Sequence, residues 1–213
     1  MIVFGVPMTF DLADTTIENF PHAFINRRGE PVLIKPLDDK RRSQLLEMYL
    51  HFEPRPSFSG LPPAGDDACN RWVEGMCAEA VNLVALSFDA GVVGHTALFP
   101  IDHEACEMIC ALARRYRHIG IGTELTRCIS QLAHELGFET IKLHVEARNH
   151  VARHVYEKCG FQYTTRGMVD ELDMSLDLSR RRPMDDVRVG DIMNRAVVSI
   201  GPVSYTHLTL PTN

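Results

Sequence analysis

The sequence has no surplus of positive charge: 22 lysines and arginines stand against 28 aspartates and glutamates, a net charge of −6 over 213 residues. That balance excludes a general nucleic-acid binder, which needs a broad basic surface, and any anion site must be local. None of the six cysteines (Cys69, Cys77, Cys106, Cys110, Cys128 and Cys159) belongs to a C-x-x-C pair, and several sit in apolar runs. Disulfide scaffolding is therefore not expected, and reduced thiols in a cytoplasmic protein are. Cys106 and Cys110 lie in a strand-like run, where a four-residue step spans roughly 13 Å, too far for two ligands of one zinc ion. No charged segment precedes a long apolar one at the N-terminus, where Pro7 interrupts the short apolar start. The longest near-apolar stretch, Val81 to Pro100, is broken by Asp89 and Gly91. Neither a signal peptide nor a membrane span is expected. Internal repeats and low-complexity tracts are missing too.

What remains is ordinary globular patterning, enough for one domain with its own core. Residues 1–30 carry little periodicity and read as an arm or an extra edge element. "PVLIKPL" reads as a first strand, and "DDKRRSQLLEMYL" as a helix opened by Asp38 or Asp39. "HFEPRPSFSGLPPAGDD", dense in proline and glycine, is a long ordered loop. "DACNRWVEGMCAEA" resumes helical spacing, with Trp72, Met76 and Cys77 on one face. "NLVALSF" and "VVGHTALF", joined by Asp89-Ala90-Gly91, form an antiparallel hairpin, and "CEMICALA" is a further strand. Leu125, Ile129, Leu132, Ala133 and Leu136 make one helical stripe that Gly137 ends. "TIKLHV" alternates Ile141, Leu143 and Val145, so strand, glycine turn, helix and strand make a βαβ crossover. "NHVARHVYEKC" is a helix stopped at Gly160, and Leu172, Met174, Leu176 and Leu178 alternate in a closing strand. The expected fold is a mixed α/β sandwich, a mostly antiparallel sheet flanked by helices.

Between the strand ending near Leu112 and the next helix stands "RYRHIGIGTEL". A turn stripped of side chains at a helix N-terminus exposes unpaired amides backed by the helix dipole, which is an anion site. Gly120 and Gly122 let the backbone approach the anion, and Arg114, Arg115 and Arg117 add charge, so a pyrophosphate fits. A P-loop would need Lys and Ser/Thr after its last glycine, where this chain has Thr123-Glu124; a dinucleotide fingerprint would need a small residue at Leu125.

"RHIGIG", Arg117 to Gly122, resembles the pyrophosphate loop of the GNAT (Gcn5-related N-acetyltransferase) superfamily. "NHVARHVYEKCGF" resembles that family's second signature, and the likeness in element order covers roughly Val32 to Leu178. By spacing, Asn149, Ala152 and Tyr156 share one helix face. The resemblance implies transfer of an acetyl group from acetyl-CoA, a substrate, to a small-molecule or peptide amine by direct attack in a ternary complex. It further implies that backbone groups of Cys110 and Leu112 hold the pantetheine. Arg117, His118, Ile119, Gly120, Ile121, Gly122 and Thr123 would hold the pyrophosphate, with Asn149 and Tyr156 along the arm. Tyr156 would protonate the departing thiolate, a phenol near pKa 10 and a thiol near about 8.5 being close enough for transfer. It could equally be a packing residue. Glu107 is a candidate base, or a solvated edge carboxylate whose place a water chain takes. His51, Glu53, Arg55 and Phe58 are candidates at the acceptor site. His150 and His154 lack a third ligand, and no metal is expected. The other reading of the same fold is an acyl-CoA sensor without efficient transfer.

The domain is expected over residues 31–179. The segment 180–202 reads as a linker followed by "VGDIMNRAVVSIGP", which resembles the opening of a CBS (cystathionine-beta-synthase type) domain, truncated here; an adenine nucleotide would be a partner only of the whole unit. Residues 203–213 resemble a translated sequencing adapter and are expected to pack against nothing. No nucleic acid or membrane partner is expected, and the oligomeric state is open.

Overall fold

In the computed structural model, the described residues are 20–57, 60–164 and 170–179. The adapter-like and CBS-like segments lie outside them, as does Phe58.

Period-two runs build the sheet. Its strands are β1 (His22–Ile25), β2 (Pro31–Pro36), β3 (Val81–Ser87), β4 (Gly91–Pro100), β5 (Ala105–Leu112), β6 (Thr140–Glu146), β7 (Gln162–Tyr163) and β8 (Glu171–Asp177). They lie in the order β1-β2-β3-β4-β5-β6-β8-β7. Every pairing is antiparallel except β5 with β6. The weak pattern before residue 31 thus conceals an edge strand, β1, paired to β2. The helices are α1 (Arg42–Leu50), α2 (Asp66–Glu79), α3 (Ile121–Glu135) and α4 (His150–Lys158).

Alternation along the strands divides the core between the sheet's faces. On one face α3 and α4 pack over Ile34, Leu83, Cys106, Met108, Ile141, Leu143 and Met174. On the other, α1 and α2 enclose Leu45, Tyr49, Val73, Met76, Val84 and Ala111. The α3 stripe lands as spaced: Leu125, Ile129, Leu132 and Ala133 are fully buried. Truncating one of its leucines to alanine costs about 2–5 kcal/mol in such a site. Gly94 on β4 lets α3 come this close, because a Cβ there would meet Leu112 Cδ2 at 2.5 Å and Leu125 Cδ1 at 3.0 Å.

Both crossover helices close by the same C-terminal pattern. Gly137 N donates to His134 O and Phe138 N to Ala133 O; Gly160 N donates to Glu157 O and Phe161 N to Tyr156 O. These are Schellman caps, with an aromatic residue returned to the core behind each glycine. The opening of α1 differs from expectation. A 3-10 turn, Asp39–Arg41, precedes it, and Asp38 makes no side-chain cap. Its carboxylate accepts instead from Lys35 Nζ at 2.7 Å. That ion pair holds its pKa below the usual carboxylate value.

The buried polar groups of the α1/α2 face form one network. Tyr49 Oη lies 2.7 Å from His95 Nδ1, and His95 Nε2 lies 3.0 Å from Asn82 Oδ1. Asn82 Nδ2 donates to Met76 O and Ala80 O, so its oxygen is left to accept. His95 Nε2 therefore donates and Nδ1 accepts from the phenol. The ring is fully buried, and burial lowers its pKa to about 3, keeping it neutral.

Candidate functional site

The parallel junction of β5 and β6 is short. Register runs only through Ala105↔Thr140, Cys106↔Ile141 and Glu107↔Lys142. Beyond Glu107 the two strands part, while β5 stays paired to β4 as far as Gly94↔Leu112. Ala113 N donates to Val93 O. Antiparallel pairs alternate between bonded and non-bonded, so odd-numbered β5 residues turn their backbone groups to β4, and Met108, Cys110 and Leu112 turn theirs toward the gap. Cys110 and Leu112 were the positions expected to present backbone to an extended ligand. Among the described residues, one of the four groups they offer is taken, since Leu112 O accepts from Arg117 Nε at 2.9 Å.

The glycine turn stands at the mouth of this gap. Gly120, at φ 98, caps α3 in the left-handed region that side-chain-bearing residues avoid, and His118 shares that region at φ 65. Among the described residues, the amides of His118, Ile119, Gly120, Ile121 and Gly122 donate to no protein acceptor. Thr123 N is not part of this set: it bonds Gly120 O at 3.1 Å. Five open amides at the positive end of a fifteen-residue helix offer donors with the chemistry an anion requires.

The arginines serve it unequally. Arg117, expected to offer its charge, is turned inward: besides Leu112 O it donates to Glu53 O at 2.7 Å and lies over the Phe52 ring at 5.0 Å. It fastens the turn to the α1–α2 loop, and burial lowers its pKa. Arg114 pairs with Glu53 at 3.0 Å, leaving Arg115 exposed. Arg28, from the β1–β2 turn, donates to Arg115 O, and Arg27 N donates to Ile119 O. An open groove of about 650 Å³ beside the turn is lined by Arg28, Glu53, Arg114, Arg115, Arg117 and His118. Sequence reading missed Arg27 and Arg28, because only the chain's return through β1 carries them there.

On α4, Asn149 is the N-cap: its Oδ1 accepts from Ala152 N at 3.1 Å. Tyr156 is buried, packed against Phe161 with ring centroids 5.7 Å apart. Burial, reinforced by the neighbouring Cys110 and Cys159 thiols, raises the phenol pKa. The same burial pushes the Cys110 thiol up to about 12. The α3/α4 side of the gap is thus dry and hostile to negative charge, which makes a thiolate formed there more basic and the phenol more reluctant to ionise.

Glu107 emerges on the opposite face, half-buried, with Oε1 3.8 Å from His144 Nε2. His144 Nδ1 lies 2.6 Å from Asp173 Oδ1. Neither His144 nor Asp173 was singled out in the sequence, although β6 alternation already assigns His144 to the face opposite Ile141, Leu143 and Val145. Of the loop candidates, Arg55 staples the loop through Leu50 O and Ala64 O, and His51 Nδ1 meets Glu47 O. His150 and His154 are exposed on α4, and no cluster of three metal-ligating side chains occurs among the described residues. None of the described helices is long and apolar enough to cross a membrane.

A sheet divided at its one parallel junction, with a bare helix N-terminus at the opening, defines the acyl-CoA N-acyltransferase fold. The sequence profile of the Acetyltransferase (GNAT) family matches residues 45–161, more than half of the chain, and the chain belongs to that family of acetyltransferases. Solved structures share the architecture. The GNAT domain of S. lividans PAT superposes with a TM-score of 0.62 at 14% identity, covering 73% of this chain and 96% of that one. The putative acetyltransferase yncA from Salmonella typhimurium, solved with its cofactor acetyl-CoA, gives 0.58 at 17% identity over 73% and 98%. A spermidine N-acetyltransferase SpeG chimera from Vibrio cholerae and hSSAT gives 0.55 at 18% identity over 70% and 96%. No curated protein matches the sequence.

Proposed function

We propose that this chain is an N-acetyltransferase moving an acetyl group from acetyl-CoA to a primary amine by direct attack. The observation that carries this reading is the continuity of the open amides of residues 118–122 with the unpaired edge of β5. A diphosphate fits the amides, and an amide-bearing arm fits the strand edge. From Leu112 to Met108 the edge runs about 13 Å at about 3.3 Å per residue, bringing a reactive end close to the vertex at Glu107.

Tyr156, buried and held protonated, keeps a proton for the departing sulfur. The dry wall of Cys110 and Cys159 raises the basicity of any thiolate beside it, which offsets part of the phenol's reluctance to release its proton. Asn149 and the Schellman cap at Gly160 fix both ends of α4, so the phenol is delivered by a braced helix. Glu107, on the other face, draws in a cationic acceptor. Among the similar structures is a spermidine N-acetyltransferase, which makes polyamines the first acceptors to try.

The test is calorimetry with acetyl-CoA, followed by thiol release across polyamines, amino acids and short peptides. Saturable binding and amine-dependent thiol release are expected. Absence of binding to folded protein overturns the assignment.

A further inference from the structure

Three side chains from three neighbouring strands meet on the open face of the split, and one of them has a defined proton arrangement. We infer that His144 is the general base for the acceptor amine, with Asp173 positioning it and Glu107 holding the ammonium. The inference rests on the transferase reading above.

Asp173 faces His144 across the β6/β8 pair in register. As a carboxylate it only accepts, so at 2.6 Å the imidazole Nδ1 is the donor. In the neutral ring the lone pair is then on Nε2. That nitrogen looks back toward β5, where Glu107 Oε1 lies 3.8 Å away. Two acceptors at that separation make no direct hydrogen bond with each other, but one amine nitrogen can donate to both. The gap is therefore shaped for an N–H group carrying positive charge.

The position along the strands agrees. Glu107↔Lys142 is the last pair before the strands part, and His144 is the next residue of β6 on the same face. His144 stands at the vertex on one side of the sheet, and Tyr156 lies beside Cys110 on the other. Among the described residues of β6 and β8, the other charged groups on the His144 face are Lys142, Glu146, Glu171 and Asp177, with Arg148 paired to Glu146 at 2.9 Å. Acidic groups dominate, which suits a cationic acceptor.

The chemistry balances as follows. His144 Nε2 takes a proton from the ammonium, the freed amine forms the C–N bond, and the C–S bond breaks with its electron pair going to sulfur. Of the two protons the ammonium loses in all, one leaves to solvent through His144. The other replaces the proton that Tyr156 gives to the thiolate.

The tautomer is testable without turnover or substitution. Nitrogen-15 spectra of the free protein should show His144 protonated at Nδ1, and Asp173→Ala should move the proton to Nε2. In kinetics, His144→Gln should lower kcat by about 10²–10³-fold while acetyl-CoA affinity stays within about twofold, and added imidazole should restore at least about tenfold of the loss to His144→Ala. Glu107→Gln should raise KM for a cationic amine by about tenfold or more and change kcat far less. A wild-type His144 protonated at Nε2, a kcat of His144→Gln within about threefold of wild type, or no rescue by imidazole overturns the inference alone. A wild-type protein that binds no acetyl-CoA, or acetylates no amine, overturns it together with the transferase reading.

Discussion

The two sides of the β5/β6 split are built from the same strands and have opposite chemistry. On the α3/α4 side the neighbours are Cys110, Cys159, Phe161 and a buried phenol, and burial raises the pKa of both the Cys110 thiol and the Tyr156 phenol. On the other side Glu107, His144 and Asp173 stand half in water, with His144 Nδ1 2.6 Å from Asp173 and Glu107 3.8 Å from its Nε2. The difference shows how one sheet separates two jobs. Helices cover one face of the split and leave the other open, so a proton donor can be kept dry within reach of polar groups that stay wet.

The largest effect belongs to the dry side. Tyr156→Phe should reduce kcat by about 10²–10⁴-fold with little change in acetyl-CoA affinity measured by calorimetry. A variant with wild-type turnover would make Tyr156 a packing residue and dissolve the contrast. At the mouth shared by both sides, Gly120→Val forces a β-branched residue to adopt φ 98. A side chain in that region costs about 1–2 kcal/mol, so both the denaturant midpoint and acetyl-CoA affinity should fall. Unchanged coenzyme affinity would count against the amide cradle.

Remote from the split, the His95 network gives a control in which burial acts on a histidine with no access to substrate. Its pKa in the fold is about 3, against an ordinary 6.5. The folded state resists protonation that the unfolded chain accepts, so the contribution to stability is complete above about pH 6.5 and is lost progressively as pH falls toward 3. Urea midpoints measured from pH 7 down to pH 4 should fall. Tyr49→Phe, which leaves His95 Nδ1 without its donor, should cost about 1–3 kcal/mol at pH 7 and leave KM for acetyl-CoA unchanged. The smallest effect is expected on the wet rim. Glu53 and Arg114 are 62% and 75% exposed as side chains. Glu53→Ala should change stability by no more than about 1 kcal/mol, because the backbone carbonyl that receives Arg117 remains.

Much of this fold was legible in local pattern. The α3 stripe of Leu125, Ile129 and Leu132, the β6 alternation, and the two glycine stops each depend on residues within a turn or two of one another. So does the bare turn at the start of α3, because Gly120 and Gly122 act through their own backbone. Side chains whose partners are distant in sequence read less well. Arg117 looked like a free cation until Phe52 and Glu53 came to it. Asp38 looked like a cap until Lys35 claimed its carboxylate, and Asn149, expected along the ligand's arm, spends its side-chain oxygen on capping its own helix.

The sequence alone settled the principal helices and strands, the crossover and the bare turn, since helix and strand periods and glycine's freedom of φ are properties of short segments. Only tertiary structure decided where β5 and β6 stop pairing, which side of that division is dry, and that His144, Glu107 and Asp173 meet. Those facts depend on three strands, far apart along the chain, converging across one sheet, and no local period encodes such a convergence.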